Sequence, residues 1–355
     1  MNKIKVAIVG SNQELKDASG VDRFILALQD ELKKNGEVES EIIYGNYFLP
    51  SFLKFFNFQK LNRFDIVHIG APGWGIFTRT KRNILITFYD DIMFHPQVFI
   101  SLLPLIEKVK LLIIKKLWSL AFIVDIKKSK KIVAISQESK ENLTNRFKIN
   151  PEEIIIVPPG VKTDIYKPFP SIKKRRDKNV LRLFYCGRLC LRKGTDLLLN
   201  SLVLLKEKYK LKNSKLYIAG ITDKNFNLKH EVKKRHLEQN VFFLGNISDQ
   251  ELSLHYNLSD IFVFPSRVEG YGIPPIEALA CGLKVVSTNI PSIEPFKEFV
   301  TITDLTPKAI AENVLKAYGK QFDFKQARAK IEKDYSVKVV SQKYVELYKE
   351  LLSEK

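Results

Sequence analysis

With 355 residues, the chain has room for two domains of ordinary size, and its 45% hydrophobic and 27% charged residues are typical of a globular protein. The formal net charge of +19 favours anionic partners such as nucleic acid, anionic lipid or phosphorylated substrates. No nucleic-acid-binding motif accompanies that charge, the three cysteines lack the spacing of a metal site, and lysines interrupt every apolar run that could span a membrane.

The first half of the chain predicts a doubly wound parallel sheet. Its first strand follows the initial methionine directly, so we expect no signal peptide and a cytoplasmic protein. Leu26, Leu28 and Leu32 then fall near helical spacing, and Gly36 ends that helix. The predicted strands are 3–10, 41–44, 64–70, 83–89, 131–136 and 153–157, with helical segments between most of them.

Two stretches of this half, 46–64 and 105–131, combine aromatic and aliphatic residues with many lysines. Basic amphipathic segments of this kind hold monotopic proteins on anionic membranes. The alternative is that both are ordinary helices whose apolar face packs on the sheet and whose lysines are solvated. We therefore expect either a free cytoplasmic protein or one that is peripheral on the cytosolic face of an anionic membrane.

The pattern changes between the two halves, where prolines and the basic run SIKKRRDK indicate a linker at 166–178. The first domain is predicted to span 1–165 and the second 179–336, with the final amphipathic helix in 337–355 assigned to the first domain. The predicted strands of the second domain are 180–186, 215–220, 241–245, 261–266 and 283–288.

The segment RVEGYGIPPIEALACG, at 267–282, lies between two of these strands and predicts a glycine-rich turn followed by a helix. Glycines let the backbone approach a ligand closely, and prolines suit the first turn of a helix. We expect free N–H groups at that helix start to bind phosphate, while the two carboxylates bind hydroxyls. That combination is the chemistry of a sugar nucleotide. The residues concerned are Glu269, Gly270, Gly272, Pro274, Pro275 and Glu277.

This segment resembles, nearly residue for residue, the E-x7-E segment of family-4 retaining glycosyltransferases. The resemblance covers essentially the whole chain and is strongest from Val180 to Pro291. It implies an α/β chain of the GT-B fold, with two Rossmann-like doubly wound domains that face a cleft and a C-terminal helix that crosses back to the first domain. The first domain of such enzymes binds the acceptor and the second binds the nucleotide sugar.

The resemblance also implies roles for individual residues. The loop GRLCLRKG matches the family's diphosphate clamp, so Arg188 and Lys193 are expected to stabilise the charge that builds on the leaving diphosphate. Glu269 is expected to contact the reacting sugar and Glu277 the ribose. The implied donor-binding residues are Gly20, Gly187, Arg188, Lys193, Gly245, Glu269, Gly270, Tyr271, Gly272, Ile273, Pro274 and Glu277.

The chain departs from the family pattern on the acceptor side. Tyr89 stands where relatives carry a histidine beside the donor sugar, and Asp90 follows it. Tyrosine can donate a hydrogen bond to a hydroxyl but cannot act as a base at neutral pH. His95 is the alternative. The acceptor-side candidates are thus Tyr89, Asp90 and His95, and the expected catalytic set is Glu269, Arg188, Lys193 and Asp90.

Taken with the resemblance, these residues predict a retaining transferase that moves a hexose from a UDP- or GDP-sugar to a glycan or lipid-linked acceptor. No Asp-x-Asp motif occurs, so the cationic clamp is expected to replace a metal, and no cofactor is expected. Two alternatives remain. The first is a sugar-nucleotide epimerase of the same architecture, which needs no acceptor. The second is a sugar-nucleotide-binding protein without turnover, because Tyr89 replaces the family histidine.

Overall fold

The computed structural model describes residues 3–10, 20–44, 58–70, 83–89, 116, 119–120, 122–173, 180–223 and 226–354. Contacts divide the chain into two compact units, Met1–Gly160 with Asp334–Lys355, and Val161–Lys333. Each unit holds a six-stranded sheet in which every described strand pair is parallel. The predicted α/β class, with a doubly wound sheet in each half, is confirmed.

The first sheet has the strand order β2-β1-β3-β4-β5-β6, and the second has the order β12-β11-β10-β7-β8-β9. The strands are β1 (Ile4–Gly10), β2 (Val38–Tyr44), β3 (Ile66–Ile69), β4 (Asn83–Phe88), β5 (Lys131–Ala134), β6 (Ile154–Ile156), β7 (Arg182–Cys186), β8 (Lys215–Ala219), β9 (Val241–Gly245), β10 (Ile261–Phe264), β11 (Lys284–Ser287) and β12 (Val300–Ile302).

Helices connect most of these strands, as parallel pairing requires. They are α1 (Gly20–Asn35), α2 (Gln137–Phe147), α3 (Pro170–Lys173), α4 (Thr195–Glu207), α5 (Leu228–Lys234), α6 (Asp249–Leu258), α7 (Pro274–Ala280), α8 (Pro307–Gly319), α9 (Phe324–Lys330) and α10 (Val337–Ser353). Residues 122–128 are also helical. Across the described ranges, no helix combines the length and the apolar character that a membrane span requires.

The central strands explain why the apolar runs of the sequence are continuous rather than alternating. In β1, Val6, Ala7, Ile8 and Val9 are at most 1% exposed. In β10, all four residues are equally buried, at no more than 1%. A parallel strand covered by helices on both faces must be apolar on both faces, and this burial supplies the main stabilisation of each unit.

The final helix α10 belongs to the first unit, as the expected fold requires. It packs against α1, and its Tyr344, Tyr348 and Leu351 are fully buried. Ser336 caps the start of the helix by accepting a hydrogen bond from the Val339 N–H at 3.3 Å. The apolar stripe of this helix thus completes a core whose other residues lie far earlier in the chain.

A buried polar network joins α10 to the sheet. The imidazole Nδ1 of His68 in β3 is 2.8 Å from the Tyr348 hydroxyl, and its Nε2 is 2.7 Å from Thr87 Oγ1 in β4. The Tyr344 hydroxyl lies 3.1 Å from the same Thr87 oxygen, and its ring stacks on the imidazole. Because each of these polar groups has a partner, the network does not carry the cost of unsatisfied burial.

The protonation of His68 gives the first unit a defined pH dependence. Burial lowers the pKa of His68 from 6.5 to about 3. Between these values the unfolded chain binds a proton that the folded chain does not, so the free energy of unfolding falls as the pH falls below 6.5. Each pK unit corresponds to ~1.4 kcal/mol.

We expect His68→Gln to remove this dependence, so that the stability advantage of the wild type shrinks as the pH is lowered from about 8 to about 5. Urea denaturation across that range measures it. His230→Gln, which changes an exposed histidine, is the matched control and should leave the wild-type profile unchanged. Parallel profiles for wild type and His68→Gln would contradict the assigned protonation state.

Candidate functional site

The strand order of the second sheet places a crevice at one point of its carboxyl edge. From β7 the chain runs outward through β8 to β9, and from the adjacent β10 it runs outward in the other direction through β11 to β12. Neighbouring strands whose connections leave in opposite directions create a crevice at their carboxyl ends, which is where open α/β sheets bind ligands. The segments that follow β7 and β10 therefore form the candidate site.

Close backbone approaches shape the first of these segments. Gly187 follows β7, and Gly220 follows the neighbouring β8 with a φ of 135°. A Cβ at Gly220 would lie 1.9 Å from the carbonyl oxygen of Gly187. Gly194, with a φ of 70°, precedes α4, and a Cβ there would lie 1.9 Å from the carbonyl oxygen of Pro265. Glycine is needed at both positions, because a Cβ would overlap a backbone carbonyl oxygen. At Gly194 the close approach brings the start of α4 against the end of β10.

The two segments meet in a buried ion pair between Lys193 and Glu269. The Lys193 ammonium donates to Glu269 Oε1, and the two side chains are only 14% and 5% exposed. The ammonium also lies 5.6 Å from the ring centre of Phe264. Burial lowers the pKa of Lys193, while Glu269 opposes that shift and Arg192 adds to it. A cation and a carboxylate are thus held side by side at the carboxyl edge of the sheet.

The three basic residues of the loop after β7 have different surroundings. Arg192 donates a hydrogen bond to the carbonyl oxygen of Val268 at 3.0 Å, so its guanidinium joins the two segments. Arg188 is exposed and has no ion-pair partner among the residues that the structure describes. Arg188 and Lys193, the two residues of the predicted clamp, therefore present charge near the crevice, whereas Arg192 has a structural contact.

The start of α7 differs from the expectation of a free amide cluster. Pro274 and Pro275 have no N–H, and the N–H groups of Ile276 and Glu277 both donate to the carbonyl oxygen of Ile273, at 2.9 and 3.2 Å. The prolines favour the helical turn, but they also remove the donors that an anion would need. The free amides expected at this helix start are therefore absent from 274–277, and phosphate binding at this segment stays a prediction.

Backbone donors lie instead in the turn ahead of the helix. Within the described part of the chain, the amides of Gly272 and Ile273 have no backbone acceptor. Ser292 holds this turn in place, because its hydroxyl donates to the Gly272 carbonyl at 2.6 Å and its N–H to the Tyr271 carbonyl at 3.1 Å. The turn, rather than the helix end, therefore carries the amides that lack a backbone acceptor.

Glu277 is held by a tyrosine that the sequence did not indicate. The Tyr256 hydroxyl donates to Glu277 Oε2 at 2.9 Å and lies 3.1 Å from Cys186 Sγ. Tyr256 is fully buried, and that burial raises its pKa well above the usual value, so it remains a proton donor. Its position on the buried face of α6 is typical of a core aromatic residue. Only the fold shows that its hydroxyl orients a carboxylate.

The remaining predicted residues lie in different environments. Gly270 and Tyr271 are buried within the turn, whereas Gly245 ends β9 with a φ of 73° and accepts a hydrogen bond from the Gly220 N–H at 2.7 Å. Gly20 is the exposed first residue of α1 in the first unit.

The acceptor-side candidates belong to the first unit. Tyr89 is only 4% exposed and packs against Phe24 with the ring centres 5.8 Å apart. Burial raises its pKa well above the usual value. Its hydroxyl is therefore protonated in the core, and its contact with an acceptor stays a prediction. Asp90 and His95 lie outside the described residues.

Two family models together match most of the chain. "Glycosyltransferase Family 4" matches residues 40–165, and "Glycosyl transferases group 1" matches residues 168–333. Each half of the chain therefore matches a glycosyltransferase family model. The match of the second model contains both segments of the candidate site.

Two of the curated relatives are transferases whose names refer to inositol. The GPI3 subunit of phosphatidylinositol N-acetylglucosaminyltransferase from Saccharomyces cerevisiae (strain YJM789) is 25% identical over 63% of this chain and 51% of its own length. D-inositol 3-phosphate glycosyltransferase from Pseudarthrobacter chlorophenolicus is 29% identical over 45% of this chain and 40% of its own. The chain spans about half the length of the curated relatives it matches.

Solved structures show the same fold over nearly the whole chain. Sucrose-phosphate synthase from Thermosynechococcus elongatus has a TM-score of 0.82 at 15% identity, covering 99% of this chain and 100% of that one. Anabaena HepE in complex with UDP and glucose has a TM-score of 0.75 at 16% identity, covering 98% of this chain and 100% of that one. The chain therefore has the GT-B fold.

We expect Gly194→Ala to destabilise the second unit strongly. A left-handed conformation costs alanine ~1–2 kcal/mol, and the new methyl group would also overlap the Pro265 carbonyl. Chemical denaturation measures the loss. Gly319→Ala is the control, because a Cβ there meets nothing within 4 Å, and it should change stability by less than about 0.5 kcal/mol. Equal effects of the two substitutions would show that the close approach at Gly194 is not required.

Proposed function

We propose that the enzyme transfers a hexose from a UDP- or GDP-sugar to an acceptor hydroxyl, with retention of the anomeric configuration and without a metal. The observation that carries this proposal is the buried pair of Lys193 and Glu269 at the carboxyl edge of the second sheet. A diphosphate needs a cation and a sugar needs a carboxylate that accepts from its hydroxyls. Here the two groups are held in contact by adjacent loops.

The cationic side of the pair acts on the leaving group. When the bond between the sugar and the diphosphate breaks, negative charge builds on the diphosphate oxygens. Lys193 and Arg188 stabilise that charge most in the transition state, which lowers the barrier rather than only tightening binding. Because Lys193 is already buried and fixed, little reorganisation is needed as the charge develops. These two cations have the role that a divalent ion has in other transferases.

The carboxylates act on the hydroxyls of the donor. Glu269 accepts hydrogen bonds from the reacting sugar, and Glu277, with one oxygen held by Tyr256, accepts from the ribose. The amides of Gly272 and Ile273 complete the diphosphate contacts. The donor therefore lies across the crevice at the carboxyl ends of β7 and β10, with its diphosphate between the two loops.

Retention follows from a displacement on one face of the sugar. The acceptor oxygen forms its bond to the anomeric carbon on the face from which the diphosphate leaves, and a diphosphate oxygen takes the proton of the acceptor hydroxyl. The sugar has oxocarbenium character in the transition state, paired with the leaving diphosphate. Asp90 is the proposed carboxylate on the acceptor side.

The acceptor is proposed to be a glycan or a lipid-linked sugar at a membrane surface. Among the relatives, one is named for phosphatidylinositol and one solved neighbour, WaaG, for lipopolysaccharide biosynthesis. In the described part of the basic segment 105–131, Leu120 and Ile123 are exposed at 55% and 36%, and the exposed Lys127 and Lys128 follow them. Apolar side chains beside lysines suit the cytosolic face of an anionic membrane.

We expect Lys193→Met and Glu269→Gln each to lower kcat by ~10²–10³-fold, the loss typical of removing one group that stabilises developing charge. Release of nucleoside diphosphate from a panel of UDP- and GDP-sugars measures it, with EDTA present throughout. Lys215→Met is the matched control, since that ammonium also lies over an aromatic ring, Phe242 at 5.5 Å, but on β8. Circular dichroism checks folding. Unchanged turnover in either site variant, or loss of activity with EDTA, would contradict the proposal.

The lipid arm of the same assay tests the acceptor. We expect release to rise when lipid extract from the source cells is added, and the protein to sediment with phosphatidylglycerol vesicles but not with phosphatidylcholine vesicles. Added salt should reverse that binding because exposed charges are screened.

A converted sugar nucleotide without any acceptor would indicate the epimerase. Donor binding without release or conversion under any condition would indicate the non-catalytic binding protein.

A further inference from the structure

A second ion pair joins the same two loops beside the pair of Lys193 and Glu269. Arg267 lies just ahead of Glu269, and Asp196 lies in the first turn of α4, just after Lys193. The two guanidinium nitrogens of Arg267 donate to the two carboxylate oxygens of Asp196 at 2.7 and 2.8 Å. Two parallel hydrogen bonds fix orientation as well as distance, which a single contact does not.

Backbone contacts extend this pair into a reciprocal exchange between the loops. The Arg267 N–H donates to the Arg192 carbonyl at 2.9 Å, and its side chain also contacts the Leu191 carbonyl. In the other direction, Arg192 donates to the Val268 carbonyl at 3.0 Å. Each loop thus offers an arginine to the backbone of the other.

The burial and charge of this pair make it stronger than an ordinary surface contact. The side chains of Arg267 and Asp196 are 25% and 21% exposed, so solvent screens them only in part. Asp196 also lies at the positive end of α4, where a carboxylate is stabilised by the helix dipole. Both partners are therefore fixed to the elements that carry them.

We propose that Arg267 and Asp196 are positioning residues that set the distance between the cation Lys193 and the carboxylate Glu269. This inference rests on the proposed function, since these two residues would fix the relative position of the groups that contact the diphosphate and the sugar. Arg267 touches neither donor nor acceptor in this role. Without the bidentate pair, the loops separate, and Lys193 and Glu269 lose the geometry that the transition state requires.

The kinetic test compares Arg267→Gln and Asp196→Asn with the double variant. A displacement of about 1 Å at a reacting group can cost ~10²-fold in rate. We expect each single variant to lower kcat by ~10–100-fold, with a much smaller change in the donor KM, and the double variant to be no slower than either single one, because both remove the same contact. Arg267→Lys keeps the positive charge but cannot form two parallel hydrogen bonds to Asp196. It should therefore restore little of the kcat that Arg267→Gln loses.

Arg235→Gln is the matched control. It breaks the partly buried pair of Arg235 with Glu231 of α5, whose side chains are 15% and 25% exposed, and a hydrogen bond from Arg235 to Asn200 in a later turn of α4. It should leave kcat unchanged. If Arg267→Gln lowers only the melting temperature, while kcat per folded molecule stays at the wild-type value, the pair is structural and the inference is overturned.

The chemical reactivity of Lys193, which can be measured without any transferase activity, tests this inference separately from the proposed function. We expect the Lys193 amine to be acylated several-fold faster in Arg267→Gln than in the wild type, as measured by peptide mass spectrometry, and to react at the wild-type rate in Arg235→Gln. Faster acylation supports the positioning role even if the wild type transfers no sugar, a result that would remove the proposed function alone. An unchanged acylation rate would overturn the positioning role.

Discussion

A buried lysine and a buried glutamate are each unfavourable alone, because the protein interior solvates charge poorly. Lys193 and Glu269 lie in contact at the carboxyl ends of β7 and β10, where each charge is compensated by the other. That contact depends on the small separation between the loop after β7 and the loop after β10, which in turn needs glycine at position 194. The geometry of the proposed donor site follows from this one pair: a diphosphate that enters meets a fixed cation, and a sugar meets the adjacent carboxylate.

The two units bury polar groups in different ways. In the first unit, a neutral histidine and hydroxyl groups form a network that attaches the C-terminal helix to the sheet, with His68 bonded on both ring nitrogens. Such a network specifies a single packing arrangement without a net charge in the core. In the second unit, charged groups are buried at the edge of the sheet, where a charged ligand can take part in their interactions. The first arrangement suits a structural role and the second suits binding and catalysis.

The architecture and the two loops of the candidate site could be predicted from the sequence. Continuous apolar runs indicated parallel strands, and the segments around Arg188 and Glu269 indicated a diphosphate clamp and a sugar contact. The direct pairing of Lys193 with Glu269 could not be predicted, because the residues are 76 positions apart and meet only through strand order. The burial of Tyr89 depends on packing that a local pattern does not encode. Pro274 and Pro275 favour the start of a helix but have no N–H group, so the amide donors that a helix start normally offers are absent there.

We infer that the diphosphate of the donor binds between the loops that follow β7 and β10. A structure of the protein with a bound nucleoside diphosphate tests this inference. We expect the diphosphate to lie within hydrogen-bond distance of Arg188, Lys193 and the amides of Gly272 and Ile273, with the ribose hydroxyls on Glu277. A nucleotide bound elsewhere on the second unit, with the Lys193–Glu269 pair untouched, would contradict it.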